Sequence, residues 1–291
     1  MNGNELQAAW PLAGLAALLG AGGAALVLLP PWWTRWRHRR LRRRPFPRAW
    51  ARILRQRVPL AQRLPAPLQQ RLRELIQVFI ADKPFIGCGG QAIDDQIRVT
   101  VAAHACLLLL GQPHDACYPR LRQVLVYPDA FVVPRRRLLP GGVVSEEPQL
   151  LAGESWAQGQ VVLAWAQVLA GAADPDDGRN VALHEFAHQI DQDGGDADGH
   201  PWQRDAATRR RWAAAVADGL ARLREPAPDA SETFDAYGAT DPAEFFAVAT
   251  EAFFERPAAV AEAAPALYDA LSRLYRLDPC AFAAASAART D

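Results

Sequence analysis

Two histidines and a glutamate sit inside a stretch that otherwise reads as core. Asn180–Asp191 is NVALHEFAHQID, in which Val181, Ala182, Leu183, Phe186, Ala187 and Ile190 are apolar. A helix brings positions four apart onto one face, one turn from each other, so His184 and His188 project together. A buried polar group without a partner costs roughly 1–3 kcal/mol. The fold must therefore place something opposite these imidazoles, either a metal ion or the polar groups of a packed interior.

The HExxH spacing favours the ion. Two neutral imidazoles one helical turn apart can hold one zinc, and Glu185 is turned aside from the pair but still reaches a water-bearing position. In that arrangement the ion acidifies water and Glu185 takes the proton, later handing it to a leaving amine. A catalytic zinc wants a third protein ligand. The HExxHxxGxxH pattern would put a histidine at 194, where Gly194 stands. His200, just before Pro201, is a weak candidate, and Asp191 either orients a histidine or starts the loop. Asp191–Gly199 looks like a calcium loop, but Gly195 and Trp202 occupy positions where an EF-hand needs a ligand.

Acids on a later helix are the better source. TDPAEFFAVATEAFFERP offers Glu244, Glu251 and Glu255. Asp241, Pro242 and Glu244 also form an N-cap, N1 and N3 set, so Glu244 could instead close a capping box. Glu251, two turns on and nearly on the same face, competes for the ligand role. Spacing leaves the two even.

Elsewhere the periodicity predicts a helix from about Pro67 to Ala81 and another over Asp94–Leu110, started by Asp94 or Asp95 and stopped at Gly111. RQVLVYPDAFVVP reads as short strands, Gly141–Gly153 as a loop, and QVVLAWAQVL as strand or helix. Trp202–Arg224 and Pro242–Glu255 read as helices. The expected class is α+β, mainly helical with a small β-sheet. Ala8–Trp33 carries no charge and is long enough to span a bilayer, flanked by tryptophans and followed by arginines. Twelve arginines and no acid lie between Arg35 and Arg63 in a chain whose net charge is zero. The expectation is one N-terminal transmembrane helix over residues 1–34, a basic juxtamembrane connector over 35–66 and a catalytic domain over 67–291. The positive-inside rule then gives a single-pass inner-membrane protein with that domain cytoplasmic. The arginine run serves as a topology determinant, with no direct nucleic-acid binding expected. Cys88, Cys106, Cys117 and Cys280 show no paired spacing and are expected as free thiols.

LHEFAHQID, DAYGATDPAEFFAVATEAFFERP, VTVAAHACLLLL, VLVYPDAFVV and GESWAQGQVVLAW together resemble the Mlc titration factor A family of zinc peptidases, over roughly Gln69–Pro279. The YxxxxxxE arrangement is also similar to the catalytic domain of anthrax lethal factor. The resemblance implies a zincin-like fold and one catalytic zinc held by His184, His188 and Glu244. It makes Glu185 the base and Tyr237 a stabiliser of the oxyanion, and leaves Glu251 a supporting role. It further implies a peptide or protein substrate, with an aminopeptidase as one form the activity could take. The alternative it carries is a regulator that binds an Mlc-like repressor, with proteolysis secondary. Two departures stand out. The family's best-known member has a loop histidine before GxSW that can reach the metal, and Ser145 takes its place here. The charge-free N-terminal run is also foreign to soluble relatives. QVVLAW is expected beside the cleft, pairing with substrate backbone.

Overall fold

The structure is a computed structural model that describes residues 33–112, 117–138, 144–151, 153–156, 159–193, 195, 197–201, 203, 205–225 and 233–282. The chain forms two units, Met1–Pro45 and Phe46–Asp291. In the first, residues 33–42 form helix α1, where the Trp33 and Trp36 rings lie 5.0 Å apart and Arg40 sits over Trp36. The single-pass placement expected from the N-terminus is corrected. Among the described residues no helix is long and apolar enough to cross a membrane. The charge-free run that carried the expectation falls, except for Trp33, outside the described residues.

In the second unit, the arginine-rich segment after Pro47 is helical, as α2 (Arg48–Arg57) and α3 (Leu60–Arg63). Next come α4 (Ala66–Asp82), β1 (Phe85–Gly87), α5 (Asp95–Leu107), β2 (Gln123–Tyr127), β3 (Phe131–Leu138), β4 (Val144–Leu151), β5 (Gly153–Trp156), β6 (Gln160–Ala164), α6 (Trp165–Ala173) and α7 (Val181–Gln192). The chain continues through α8 (Ala206–Arg224), a 3₁₀ turn at Ala236–Ala239, α9 (Pro242–Glu255), α10 (Pro257–Ala263) and α11 (Pro265–Tyr275). Helices with a small sheet give the α+β class.

One sheet has the order β1-β2-β6-β5, in which β1, β2 and β6 run parallel and β5 runs antiparallel to β6. Valines at 124 and 126 point into the core while Leu125 and Tyr127 pack against Val162 and Ala164. This strand alternation is the period-two pattern of a half-covered sheet. β6 is buried on both faces. The QVVLAW expectation is therefore corrected: β6 is flanked by β2 and β5, so its backbone is already paired. β5 occupies the outer position in the order. Gly141–Gly153, expected as a loop, is also corrected, since Val144–Leu151 pairs antiparallel with β3 as a separate two-stranded sheet.

The core lies between this sheet and the helices. Phe186 of α7 packs edge-on against Phe79 of α4 at 5.7 Å and lies 5.2 Å from Tyr118. Fully burying one such ring contributes about 1.5–3 kcal/mol. That cluster fixes the back of α7, leaving its other face to α9, against which it packs. Trp212 of α8 meets Phe246 of α9 at 5.5 Å, and Thr250 Oγ1 hydrogen-bonds Tyr275 Oη at 2.8 Å. All four cysteines are free thiols, as expected, and Cys106 is core.

Candidate metal centre

Helix α7 begins where Asn180 caps it, its side-chain oxygen accepting from Leu183 N at 3.1 Å. Helix α9 begins at Asp241, whose carboxylate accepts from Ala243 N at 2.9 Å and Glu244 N at 3.0 Å, with Pro242 in the first turn. Asp241 alone makes this cap, so the carboxylate of Glu244 is not held back on its own helix. It crosses to α7 instead. His184 Nε2 and Glu244 Oε2 lie 3.1 Å apart, His188 Nε2 and His184 Nε2 3.2 Å, and His188 Nε2 and Glu244 Oε2 3.5 Å.

Those three separations test whether a metal fits. Donors at about 2.1 Å from a tetrahedral ion stand about 3.4 Å from one another. The observed triangle has that size, and the three side chains are the one group among the described residues with metal-holding geometry. Two imidazoles and a carboxylate form a donor set that suits a divalent transition metal. Lone pairs brought this close repel unless a cation or a proton lies among them.

The tautomer is set from behind. His184 Nδ1 donates to Glu251 Oε1 at 2.8 Å, so that when the ring is neutral it is the Nε2 lone pair that faces the triangle. Glu251 Oε2 in turn accepts from Asn180 N, and Asn180 Nδ2 donates to Glu255 Oε1 at 2.9 Å. The N-cap of the histidine helix is thus bolted to two carboxyls of the facing helix. Burial alone would lower the pKa of His184. The Glu251 and Glu244 carboxylates outweigh it, with a smaller push from Glu185, and hold it well above the usual histidine value. Burial works to raise Glu244, but hydrogen bonds and charge from both histidines win and hold its carboxyl far below the usual range. The site favours positive charge. Burial also raises Glu251, against the pull of His184 and Asn180, and lifts Glu255 to about 8, so that Glu255 is mostly neutral at pH 7.

Glu185 is buried on α7 between the two histidines in sequence. Tyr237 sits on the 3₁₀ turn, 44% exposed, with its ring centroid 6.1 Å from that of His184. Asp235 holds that turn by accepting from Tyr237 N at 2.9 Å, and Arg179 Nε pairs with Asp235 at 2.9 Å. His200 is exposed and bonded to the carbonyl of Asp198, outside the cluster. Asp191 does not start the loop; it remains in α7, accepting from Gly199 N at 2.7 Å. Ser145 lies in β4 opposite Arg137. Sequence reasoning passes over Asn180 and offers Glu255 only as a candidate third ligand, whereas Glu255 accepts from the side chain of Asn180. An Asn before an apolar helix signals a cap, but nothing local to it points to acids more than seventy residues away.

An HExxH helix facing a glutamate-bearing helix is the side-chain arrangement of an HExxH metallopeptidase. A family model, the glucose-regulated metallo-peptidase M90, matches residues 33–276, and the chain belongs to that family. The uncharacterized protein slr2042 of Synechocystis sp. is 40% identical over 251 residues, covering 86% of this chain and 91% of its own length. Mlc titration factor A of Serratia proteamaculans is 33% identical over 229 residues, covering 77% of this chain and 86% of that protein. Its counterpart from Salmonella agona is 33% identical over 237 residues, 80% of this chain and 88% of that protein. The resemblance drawn from the motifs is thereby shown.

Proposed function

We propose that the chain is a zinc-dependent peptidase of zincin type, with His184, His188 and Glu244 as the metal ligands. The observation that carries this reading is the size of the donor triangle, which fits one tetrahedral ion. A zinc ion held there supplies Lewis acidity to a water and to a peptide carbonyl. Glu185 removes the proton from the attacking water and returns it to the leaving amine, a task suited to a buried carboxylate beside the reacting atoms. The Tyr237 hydroxyl donates a hydrogen bond to the carbonyl oxygen as it becomes negative. Glu251 keeps His184 in the tautomer that leaves Nε2 available.

Zinc analysis combined with a peptide-library digest tests these roles on wild type and Glu185→Gln. Wild type should hold one zinc and cleave; Glu185→Gln should keep the zinc and lose cleavage by at least about a thousandfold. The cut positions in the same digest separate an aminopeptidase from an internal cutter. Wild type holding zinc without cleaving any peptide would sink the reading.

A second reading has support from the relatives' printed name, Mlc titration factor A. In it the domain binds an Mlc-like repressor and cleavage is secondary. Glu185→Gln divides the two, because binding independent of chemistry survives that substitution.

A further inference from the structure

Three helices meet at one glycine in the segment after α7. Gly199 N donates to Asp191 Oδ2 of α7 at 2.7 Å, and Gly199 O accepts from Trp212 Nε1 of α8 at 2.8 Å. Both partner side chains are buried, Asp191 at 1% exposure and Trp212 at 2%. The third contact is with α9. Gly199 has φ +78°, and a Cβ there would overlap the Pro242 carbonyl oxygen, lying 2.5 Å from the Pro242 carbonyl carbon and 3.0 Å from Ala243 N. Only glycine combines that backbone conformation with so close an approach.

The positions of these contacts give them meaning. Asp191 follows His188 by three residues, and Pro242 precedes Glu244 by two. Without this link, the separation between His188 and Glu244 would rest on side-chain packing between α7 and α9 and on the hydrogen bonds that join Asn180 and His184 to Glu251 and Glu255. With it, a chain of backbone and buried side-chain contacts runs from one donor to the other through a single residue.

We infer that Asp191, Gly199 and Trp212 form a strut that sets the distance between the Glu244 carboxylate and the His184–His188 pair, and so tunes metal affinity. They are positioning residues, and none is among the three donors of the metal triangle. Sub-ångström placement matters at such a site because coordination distances tolerate deviations of only about 0.2 Å. The inference rests on the reading of His184, His188 and Glu244 as ligands.

The test measures zinc affinity of the full chain by competition with a chromophoric chelator, alongside the thermal midpoint of the metal-free protein. The variants are Gly199→Ala, Asp191→Ala and Trp212→Phe, with Leu72→Ala on α4 as a control that destabilises the core elsewhere. Gly199→Ala must push the start of α9 away and should weaken zinc binding by about 10–100-fold, the range seen when supporting groups around a metal are removed. Asp191→Ala and Trp212→Phe should each weaken it by several-fold, while Leu72→Ala lowers the midpoint and leaves affinity intact. If Gly199→Ala does not fold, Trp212→Phe and Asp191→Ala still decide. Tight zinc in wild type with unaltered affinity in every folded strut variant overturns this inference alone. Lack of tight zinc in wild type overturns the ligand assignment and the strut together.

Discussion

Helices α5 and α7 are both buried, both N-capped by a side chain and both carry histidine, yet they make opposite use of it. Asp94 accepts from Ile97 N at 3.0 Å at the start of α5, as Asn180 does from Leu183 N at the start of α7. His104 of α5 is 1% exposed, and its ring nitrogen bonds the Thr100 carbonyl of its own helix at 2.9 Å. Burial lowers its pKa to about 4, only partly opposed by that carbonyl. His184 of α7 is also deeply placed, but three carboxylates reverse the effect of burial and raise it. A buried histidine in an apolar helix is therefore no sign of a site by itself. What distinguishes α7 is α9, which delivers Glu244 and Glu251 to its open face.

The largest test of that contrast removes the imidazoles. His184→Ala or His188→Ala should reduce bound zinc to background and abolish cleavage, since two donors leave a catalytic ion poorly held. His104→Leu should retain both zinc and cleavage. Zinc retained at full stoichiometry in His184→Ala would break the distinction between the helices. Next in size is Tyr237→Phe, which under the proposed mechanism deletes one donor to the developing oxyanion. We expect kcat to fall about 10²–10³-fold with zinc affinity unchanged, as found when a single such donor is lost.

The ease with which these regions could be read from sequence also differs. The bounds of α9 and the cap of α5 follow from Asp–Pro and Asp–Asp start signals, and the structure places them where those signals stand. The pairing of His184 with His188 was legible because helix geometry alone puts two imidazoles on one face. Choosing Glu244 over Glu251 was not legible from spacing, because both lie on the same face of one helix. The decision depends on where α7 crosses α9, and the Phe79–Phe186–Tyr118 packing that sets the crossing joins elements far apart in sequence. β4 was missed for a related reason. SEEPQLL has the charge and proline content of a loop, and its pairing to β3 supplies the strand that local propensity withholds. The neighbours of β6 were equally invisible, since a fully apolar run states burial but not which strands flank it.

Glu251 offers a finer probe, because it sharpens the contrast without removing a donor. Glu251→Gln keeps the size of the side chain and can still accept from His184 Nδ1, but it removes the charge that favours that tautomer. Zinc affinity should fall about 10-fold and cleavage by a similar factor. A chelator competition that finds no change would mean that the Glu251 charge is not needed to orient His184, just as His104 is held without a carboxylate by the Thr100 carbonyl.

The smallest effect concerns α5 and is read in stability alone. The folded pKa of His104 lies near 4, below the unfolded value of 6.5. The unfolded chain therefore binds more protons between those values, and stability must fall as pH drops from 6.5 towards 4. A full shift of this size corresponds to roughly 3 kcal/mol below pH 4, with most of the loss already present by pH 4.5. His104→Leu should unfold in urea with a midpoint close to wild type at pH 7, because the imidazole is neutral there. At pH 4.5 the variant should be the more stable of the two. Acid-titrating carboxyls elsewhere move both proteins alike, so the difference between midpoints isolates His104. Equal midpoints at both pH values would show that α5 opens enough to hydrate its histidine, and the contrast between a sealed helix and a charged one would fail at its quieter end.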